Sequence, residues 1–364
     1  MWRTGFLILF SLFILGQLSH SREIVELFSW RLTTDSISMV VPRLDGESRT
    51  DALRRYFRGL ITNEEMLAQV DYERINLNQI TRTGHLNSIP FRGLAQQSAP
   101  TILLMANMID YMVPHNWWLE NYQHPLEAAG ARVFLLPVAY DLGMSEQEAH
   151  QFRQQIALHF DSLFALGGDD IHPALYQDDM AHAINTNLTR DLSEIKLIHQ
   201  FVMANRGPIY GVCRGSQMCS IAMGSSLNQD LFHETEKVGP HADVWHDITL
   251  RPFNDSLLYH FVGEQEKLRV YSFHHQATKG ANPRLQISAY SEEEGGHRVI
   301  EGIQTLDGMM VGIQFHPELM KNREGDLILQ GFVDYARFIK EQRRSGRGCV
   351  NKARDFIRRP QSVK

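Results

Sequence analysis

The chain has 364 residues, 43% hydrophobic and 21% charged, with a formal net charge of −6 at pH 7. This composition carries enough apolar material for one large domain or two modest ones, and it excludes disordered and collagen-like chains. The charge balance offers no basic surface for nucleic acid and no polybasic patch for a membrane, so a small-molecule partner is expected.

Residues 1–21 place Arg3 before an apolar run from Phe6 to Leu15, with Ser19 and Ser21 at the −3 and −1 positions of a cleavage site. They read as an export signal, which puts the mature protein in the periplasm or a secretory compartment. The run falls short of the roughly 20 apolar residues of a membrane span, and no later segment reaches that length. Three cysteines are too few for the disulfide framework of many exported domains, so the core must hold without one. Residues 22–98 contain helical stretches at 51–60 and 63–70 but no motif that carries chemistry, and they form an extension of unassigned role.

From Thr101 the pattern becomes apolar runs separated by helix-length segments. TILLMANM, a helix at 117–129, ARVFLLPV, a helix at 145–158 and SLFALGG are followed by a helix at 191–205, then PIYGVC and a helix from Gly215. In the 191–205 helix, Asp191 and Glu194 have capping-box spacing. Such alternation predicts an α/β fold, a doubly wound, mostly parallel sheet with helices on both faces. The later segments LRVYSF, RLQISAY and GMMVGIQF suit an antiparallel extension of that sheet, and a helix at 324–340 closes a domain spanning 99–340. Residues 341–364 hold eight Lys or Arg against two acids and read as a basic, solvated tail.

Gly211-Val212-Cys213-Arg214-Gly215 sets a cysteine between two glycines at the end of a buried strand and the start of a helix. Such an elbow forces its nucleophile into a strained backbone conformation, and the glycines remove the β-carbons that would collide. The helix N-terminus beneath the sulfur favours thiolate. Cys219 and Cys349 lack these flanks and read as structural, with a mutual disulfide as one option.

A cysteine hydrolase also needs a base and a group that orients it. The strand ending Gln314-Phe315-His316-Pro317-Glu318 supplies both, because extended backbone puts residues two apart on one side and lets Glu318 reach His316. A zinc-protease reading fails on spacing: His233-Glu234 lacks the second histidine, and His241 with His246 matches no standard ligand pattern. No metal or cofactor is required.

The pair GVCRGSQ and GIQFHPE resembles the class I glutamine amidotransferase-like superfamily, a flavodoxin-like fold, and within it the branch of γ-glutamyl hydrolases and γ-glutamyl-γ-aminobutyrate hydrolases. The likeness covers roughly residues 101–340. The segments Gly167 to Tyr176, Arg190-Asp191 with Glu194, and Ser272-Phe273-His274-His275-Gln276 resemble further branch signatures in the same order. The resemblance implies Cys213, His316 and Glu318 as catalytic triad. It implies an oxyanion hole from the N–H of Arg214 and one from the turn at Gly167 and Gly168. It assigns substrate contacts to Gln217, His274 and Gly167, with Asp191 serving a substrate or merely capping its helix. No role is assigned to His172 or His275.

The expected reaction is cysteine-dependent hydrolysis of a γ-glutamyl amide through a thioester. The alternatives are an ammonia-delivering glutaminase subunit, a folyl-poly-γ-glutamate hydrolase, and a binding protein that kept the fold without turnover. The N-terminal extension, Gln177-Asp178-Asp179 and the basic tail depart from the family pattern and put the substrate in question more than the chemistry. Asn187 and Asn254 head sequons that would carry glycans in a eukaryotic secretory pathway, and a homodimer is left open.

Overall fold

The computed structural model describes residues 25–31, 36–44, 46–48, 51–52, 55, 98–106, 117–137, 140–141, 143–234, 238–253, 255–280, 282–346 and 352–359. The expected export signal at 1–21, the 63–70 helix and Cys349 lie outside them. The strands are β1 (Val25–Arg31), β2 (Ser36–Pro42), β3 (Thr101–Ala106), β4 (Arg132–Pro137), β5 (Ser162–Ala165), β6 (Ile209–Val212), β7 (Ser226–Asn228), β8 (Ala242–Leu250), β9 (Lys267–Phe273), β10 (Ala277–Lys279), β11 (Leu285–Glu292), β12 (Arg298–Thr305) and β13 (Met310–Ile313). The helices that shape the site are α1 (Trp117–Ala128), α2 (Glu146–His159), α3 (Leu188–Ala204), α4 (Arg214–Ala222), α5 (Leu231–Glu234), α6 (Leu257–Phe261), α7 (Pro317–Met320), α8 (Arg323–Arg344) and α9 (Lys352–Ile357).

Eleven strands form one sheet in the order β1-β2-β4-β3-β5-β6-β13-β12-β11-β8-β9, and β7 pairs with β10 separately. Pairing from β2 through β13 is parallel, and the pairs beyond β13 are antiparallel. The run β4-β3-β5-β6-β13 has the doubly wound, flavodoxin-like order.

Alternate residues of each central strand serve opposite layers. Ile102 and Leu104 pack on one face with Leu126 of α1 and Phe332 of α8. Leu103 and Met105 pack on the other with Phe152 of α2, Leu197 of α3 and Met218 of α4. With both faces covered, the strands read as unbroken apolar runs, which is why the sequence pattern exposed them.

The structure shifts four expectations. Met310–Ile313 is the seam between the two parts of the sheet, parallel to β6 and antiparallel to β12, because its neighbour β6 arrives from the same edge through a helical crossover. The expected 191–205 helix begins three residues earlier, where the Asn187 side chain accepts the Arg190 N–H and caps it in place of Asp191. From the extension, β2 joins the sheet beside β4 at Met39↔Leu135 and buries Val40 completely. From the basic tail, Ala353 and Phe356 of α9 close the core against Phe338 and Phe261, so residues 352–357 are amphipathic rather than solvated. Among the described residues no helix is long and apolar enough to cross a membrane.

Candidate active site

Adjacent parallel strands deliver their carboxyl ends to one edge, and here three of them converge. Gly167 and Gly168 follow β5, Cys213 follows β6, and His316 follows β13. Gly211 pairs with Gly312 and Val212 with Ile313, and the Cys213 N–H donates to the Ile313 carbonyl at 2.8 Å, so the ladder registers sulfur and imidazole against each other.

Cys213 adopts φ +53° and ψ −113°, a conformation that costs an L-residue on the order of 1–3 kcal/mol. The glycine flanks explain how the turn closes. A β-carbon on Gly211 would lie 2.4 Å from the Gly215 carbonyl oxygen, and one on Gly215 would lie 2.0 Å from that of Ala165. Only bare backbone fits between β5, β6 and α4. Arg214 is the first residue of α4, so its N–H belongs to the set without a carbonyl partner inside the helix and is disposed to meet an oxyanion.

His316 Nδ1 stands 2.6 Å from Glu318 Oε1. The contact arises differently from the extended geometry expected: Pro317 opens the short helix α7, and Glu318 lies in its first turn. Burial opposes charge on the imidazole, but Glu318 and Cys213 outweigh it and hold the His316 pKa well above its ordinary value. With Nδ1 engaged by the carboxylate, Nε2 is the nitrogen that serves the sulfur. Gly167 completes the packing: a β-carbon there would sit 3.2 Å from His316 Cε1 and 3.6 Å from Cys213 Cβ.

Tyr122 of α1 is the residue that the motifs did not reveal. It is 2% exposed, and burial, followed by the charge of nearby Glu318, drives its hydroxyl well above its ordinary range. Glu318 is thereby shielded from solvent beside the imidazole. No sequence motif marks Tyr122, because its helix is separated from β13 by almost the whole domain.

Behind the elbow lies a buried ionic network. The Arg214 guanidinium bonds Asp191 at 2.5 Å and also bonds Glu194, while Arg190 Nε bonds Glu194 at 2.9 Å. Burial disfavours ionised Glu194, but the two arginines overcome it and hold its pKa below the usual range; at Asp191 burial prevails and the pKa is raised. Asp191 also accepts the His172 N–H at 2.8 Å, which ties the loop after β5 to α3 and α4. Asp191 is therefore neither a helix cap nor a cleft residue. It anchors the side chain of Arg214, the residue that follows Cys213.

The cleft above Cys213 has a volume of about 220 Å³ and is lined by Gly168, Asp169, Asp170, Gln217, Phe273 and His275 among others. Gln217 lines it while its Nε2 donates to the Gln276 carbonyl at 3.0 Å. His275 bridges Asp170 at 2.9 Å and Asp230 at 3.2 Å, and these bonds, Asp170's foremost, raise its pKa. His274 contributes to the lining, but its ring turns inward: its side chain is 1% exposed, Nδ1 meets the Gln276 carbonyl at 3.0 Å, and Nε2 faces Glu301 at 3.7 Å. An imidazole packed this way holds the loop. Cys219 is a free, buried thiol pushed up to about 12 by desolvation. Asn187 is 3% exposed and caps α3, which leaves its sequon without an accessible acceptor.

Several known proteins are similar to this chain. Protein NtpR of Enterococcus hirae is 32% identical over 233 residues, covering 61% of this chain and 88% of that protein. The γ-glutamyl-γ-aminobutyrate hydrolase of Escherichia coli O157:H7 is 24% identical over 228 residues, 59% of this chain and 84% of its own length. The glutaminase domain of Trypanosoma brucei CTPS with bound acivicin aligns at a TM-score of 0.48 and 14% identity, over 70% of this chain and 96% of that one. The description Peptidase C26 matches residues 104–318, more than half of the chain and every segment that forms the cleft floor from β5 to Glu318, so the chain belongs to the peptidase C26 family.

Proposed function

We propose that this protein is an exported cysteine hydrolase of γ-glutamyl amide bonds, with Cys213 as nucleophile, His316 as general acid and base, and Glu318 as the group that orients His316. The observation that carries the proposal is Cys213 at φ +53° in a glycine-flanked elbow, beside an imidazole whose other nitrogen is 2.6 Å from a buried carboxylate.

The steps follow from that geometry. The Cys213 thiolate adds to the side-chain carbonyl carbon of the γ-glutamyl group, and the oxyanion meets the N–H of Arg214 and one from the Gly167-Gly168 turn. Each such donor contributes about 3 kcal/mol when aimed at the developing charge. The C–N bond breaks as His316 gives its proton to the departing amine, leaving a thioester. Water enters, His316 takes its proton, and glutamate leaves as the sulfur regains its starting state. Asp169 and Gln217 on the cleft wall are suited to the α-ammonium and α-carboxylate of the glutamyl head.

The test is hydrolysis by the mature protein and by Cys213→Ala of glutamine, γ-glutamyl-γ-aminobutyrate, a γ-glutamyl anilide and a poly-γ-glutamate. Release of amine from any of them, lost in the variant, supports the assignment and ranks the leaving groups. A wild type that cleaves none while Cys213 still reacts with an alkylating reagent would retain the nucleophile and discard the γ-glutamyl substrate.

A further inference from the structure

Beneath the loop that carries Phe273 to Gln276, three histidines from separate segments face one buried carboxylate. Glu301 of β12 is 0% exposed, and among the described residues neither of its carboxylate oxygens receives a hydrogen bond. Around its Oε1 stand His241 Nδ1 at 3.2 Å, His274 Nε2 at 3.7 Å and His246 Nε2 at 3.8 Å, the last also 2.8 Å from the Ser272 hydroxyl, which an ion would displace.

The second nitrogens indicate which atoms point inward. His241 Nε2 lies 3.1 Å from Glu293 Oε1, so that nitrogen carries the hydrogen, and in the neutral ring Nδ1 presents a lone pair. His274 Nδ1 lies 3.0 Å from the Gln276 carbonyl, which leaves Nε2 as the acceptor. Among the described residues, neither His241 Nδ1 nor His274 Nε2 has a hydrogen-bond partner, although both are buried. With neutral rings, lone pairs converge on a buried carboxylate, an arrangement that calls for positive charge at its centre.

We propose that this centre binds a first-row divalent cation of the zinc class, held by His241 Nδ1, His246 Nε2 and a Glu301 oxygen. The three donor atoms lie within 4.8 Å of one another, close enough to share one ion. Two imidazoles and one carboxylate form a donor set suited to zinc or cobalt rather than to calcium or magnesium, which take oxygen ligands. Glu293 supplies the carboxylate that orients a ligating imidazole through its other nitrogen, and His274 stands ready as a fourth donor.

The spacing of His241 and His246 concealed the pair. Residues five apart on a regular strand point to opposite faces. Here the β8–β9 register shifts between Ala242 and Val244, with Asp243 at φ +60°, and this extra residue returns both histidines to one side. The ion would fix β8, β9 and β12 under the cleft wall. The His274 N–H donates to the His241 carbonyl at 2.9 Å, and the Phe273 carbonyl lies 3.7 Å from Cys213 Sγ. The site is structural, and its occupancy can be read without measuring turnover.

The experiment uses the full chain carrying Cys213→Ala, which removes the cleft thiol as a competing ligand. After dialysis against a chelator it is titrated with Co²⁺, read by visible absorption, and with Zn²⁺, read by calorimetry and thermal midpoint. One equivalent bound per chain, with a rise in thermal midpoint, is expected. His246→Ala and His241→Asn, added to that background, should each weaken binding at least about 10-fold, as loss of a ligand does. Should either variant fail to fold, zinc-edge X-ray absorption of the zinc-loaded parent decides: a shell containing histidine nitrogen and oxygen supports the site, and a shell without histidine overturns it. No uptake by the parent, or uptake unchanged in both folded variants, also overturns it and leaves the cluster as a His241 imidazolium shared between Glu293 and Glu301.

Discussion

Glu318 Oε1 lies 2.6 Å from His316 Nδ1 because Pro317 turns the chain into a short helix at the end of β13, so one local turn both builds and orients the pair. The turn buries the carboxylate with the ring, at 2% exposure each, where their attraction is least screened. The sign of the effect is set by Glu318, whose charge is first among the influences raising the His316 pKa against burial. Removing that charge lowers the folded-state pKa, so the protonated imidazole is lost at lower pH. Glu318→Gln should move the alkaline limb of the kcat profile acidward by about 1–3 pH units. It should also lower kcat by about 100-fold or more, since the ring loses its oriented tautomer. An alkaline limb that stays in place would remove Glu318 from this role.

Arg214 has two functions at two ends. Its N–H is the proposed oxyanion donor, and its guanidinium neutralises Asp191 and Glu194 in the interior. Arg214→Met keeps the N–H but strands buried carboxylates, and breaking such a network costs about 3–5 kcal/mol. Urea unfolding should show that loss as a lower midpoint. Folded Arg214→Met should nonetheless keep more turnover than Cys213→Ala, because the backbone donor survives. Loss of activity equal to that of Cys213→Ala, in a variant of normal stability, would contradict this division.

Much of this site was open to reading in the chain itself, because its decisive features are local. Glycines two before and two after Cys213, and a proline between His316 and Glu318, are short-range solutions to short-range geometry. What stayed hidden depends on contacts between distant segments. Tyr122 approaches Glu318 from α1, and Asp191 was open to reading as a substrate contact or a helix cap, whereas Asn187 takes the cap and Arg214 the carboxylate. His274 matched a cleft residue by motif, yet its ring answers to Glu301 in the interior. The helix α9 was masked by its basic residues, although Ala353 and Phe356 point to the core.

Gly167 tests how closely sulfur and imidazole must be held. Unlike Gly168, at φ +150°, it does not adopt a left-handed conformation, so alanine meets no backbone strain there. Its methyl would press on His316 Cε1 at 3.2 Å and touch Cys213 Cβ at 3.6 Å. A displacement of a few tenths of an ångström should lower kcat by about 10- to 100-fold while KM changes little. Thermal midpoint should stay near that of the wild type, and a large fall in it would mean that the methyl disturbs the core instead.

Asp161 joins the start of β3 to the end of α8. It accepts the Thr101 N–H at 2.9 Å and Lys340 Nζ at 2.8 Å and bonds Arg343, all at 1% exposure of its own side chain. Burial would raise its pKa, but Lys340 and the Thr101 N–H more than compensate, and the folded-state value lies below 3.8. A depressed carboxylate contributes stability that is fully present above its unfolded pKa, about 3.9, and that disappears as pH falls through the folded value. Asp161→Asn should therefore be less stable than the wild type by about 3–5 kcal/mol at pH 7, since Lys340 loses its buried partner. The difference should hold steady from pH 7 to 5 and close only below about pH 4. Urea midpoints of both proteins across that range measure it, and a gap that closes between pH 5 and 7 would assign the stability to a histidine instead.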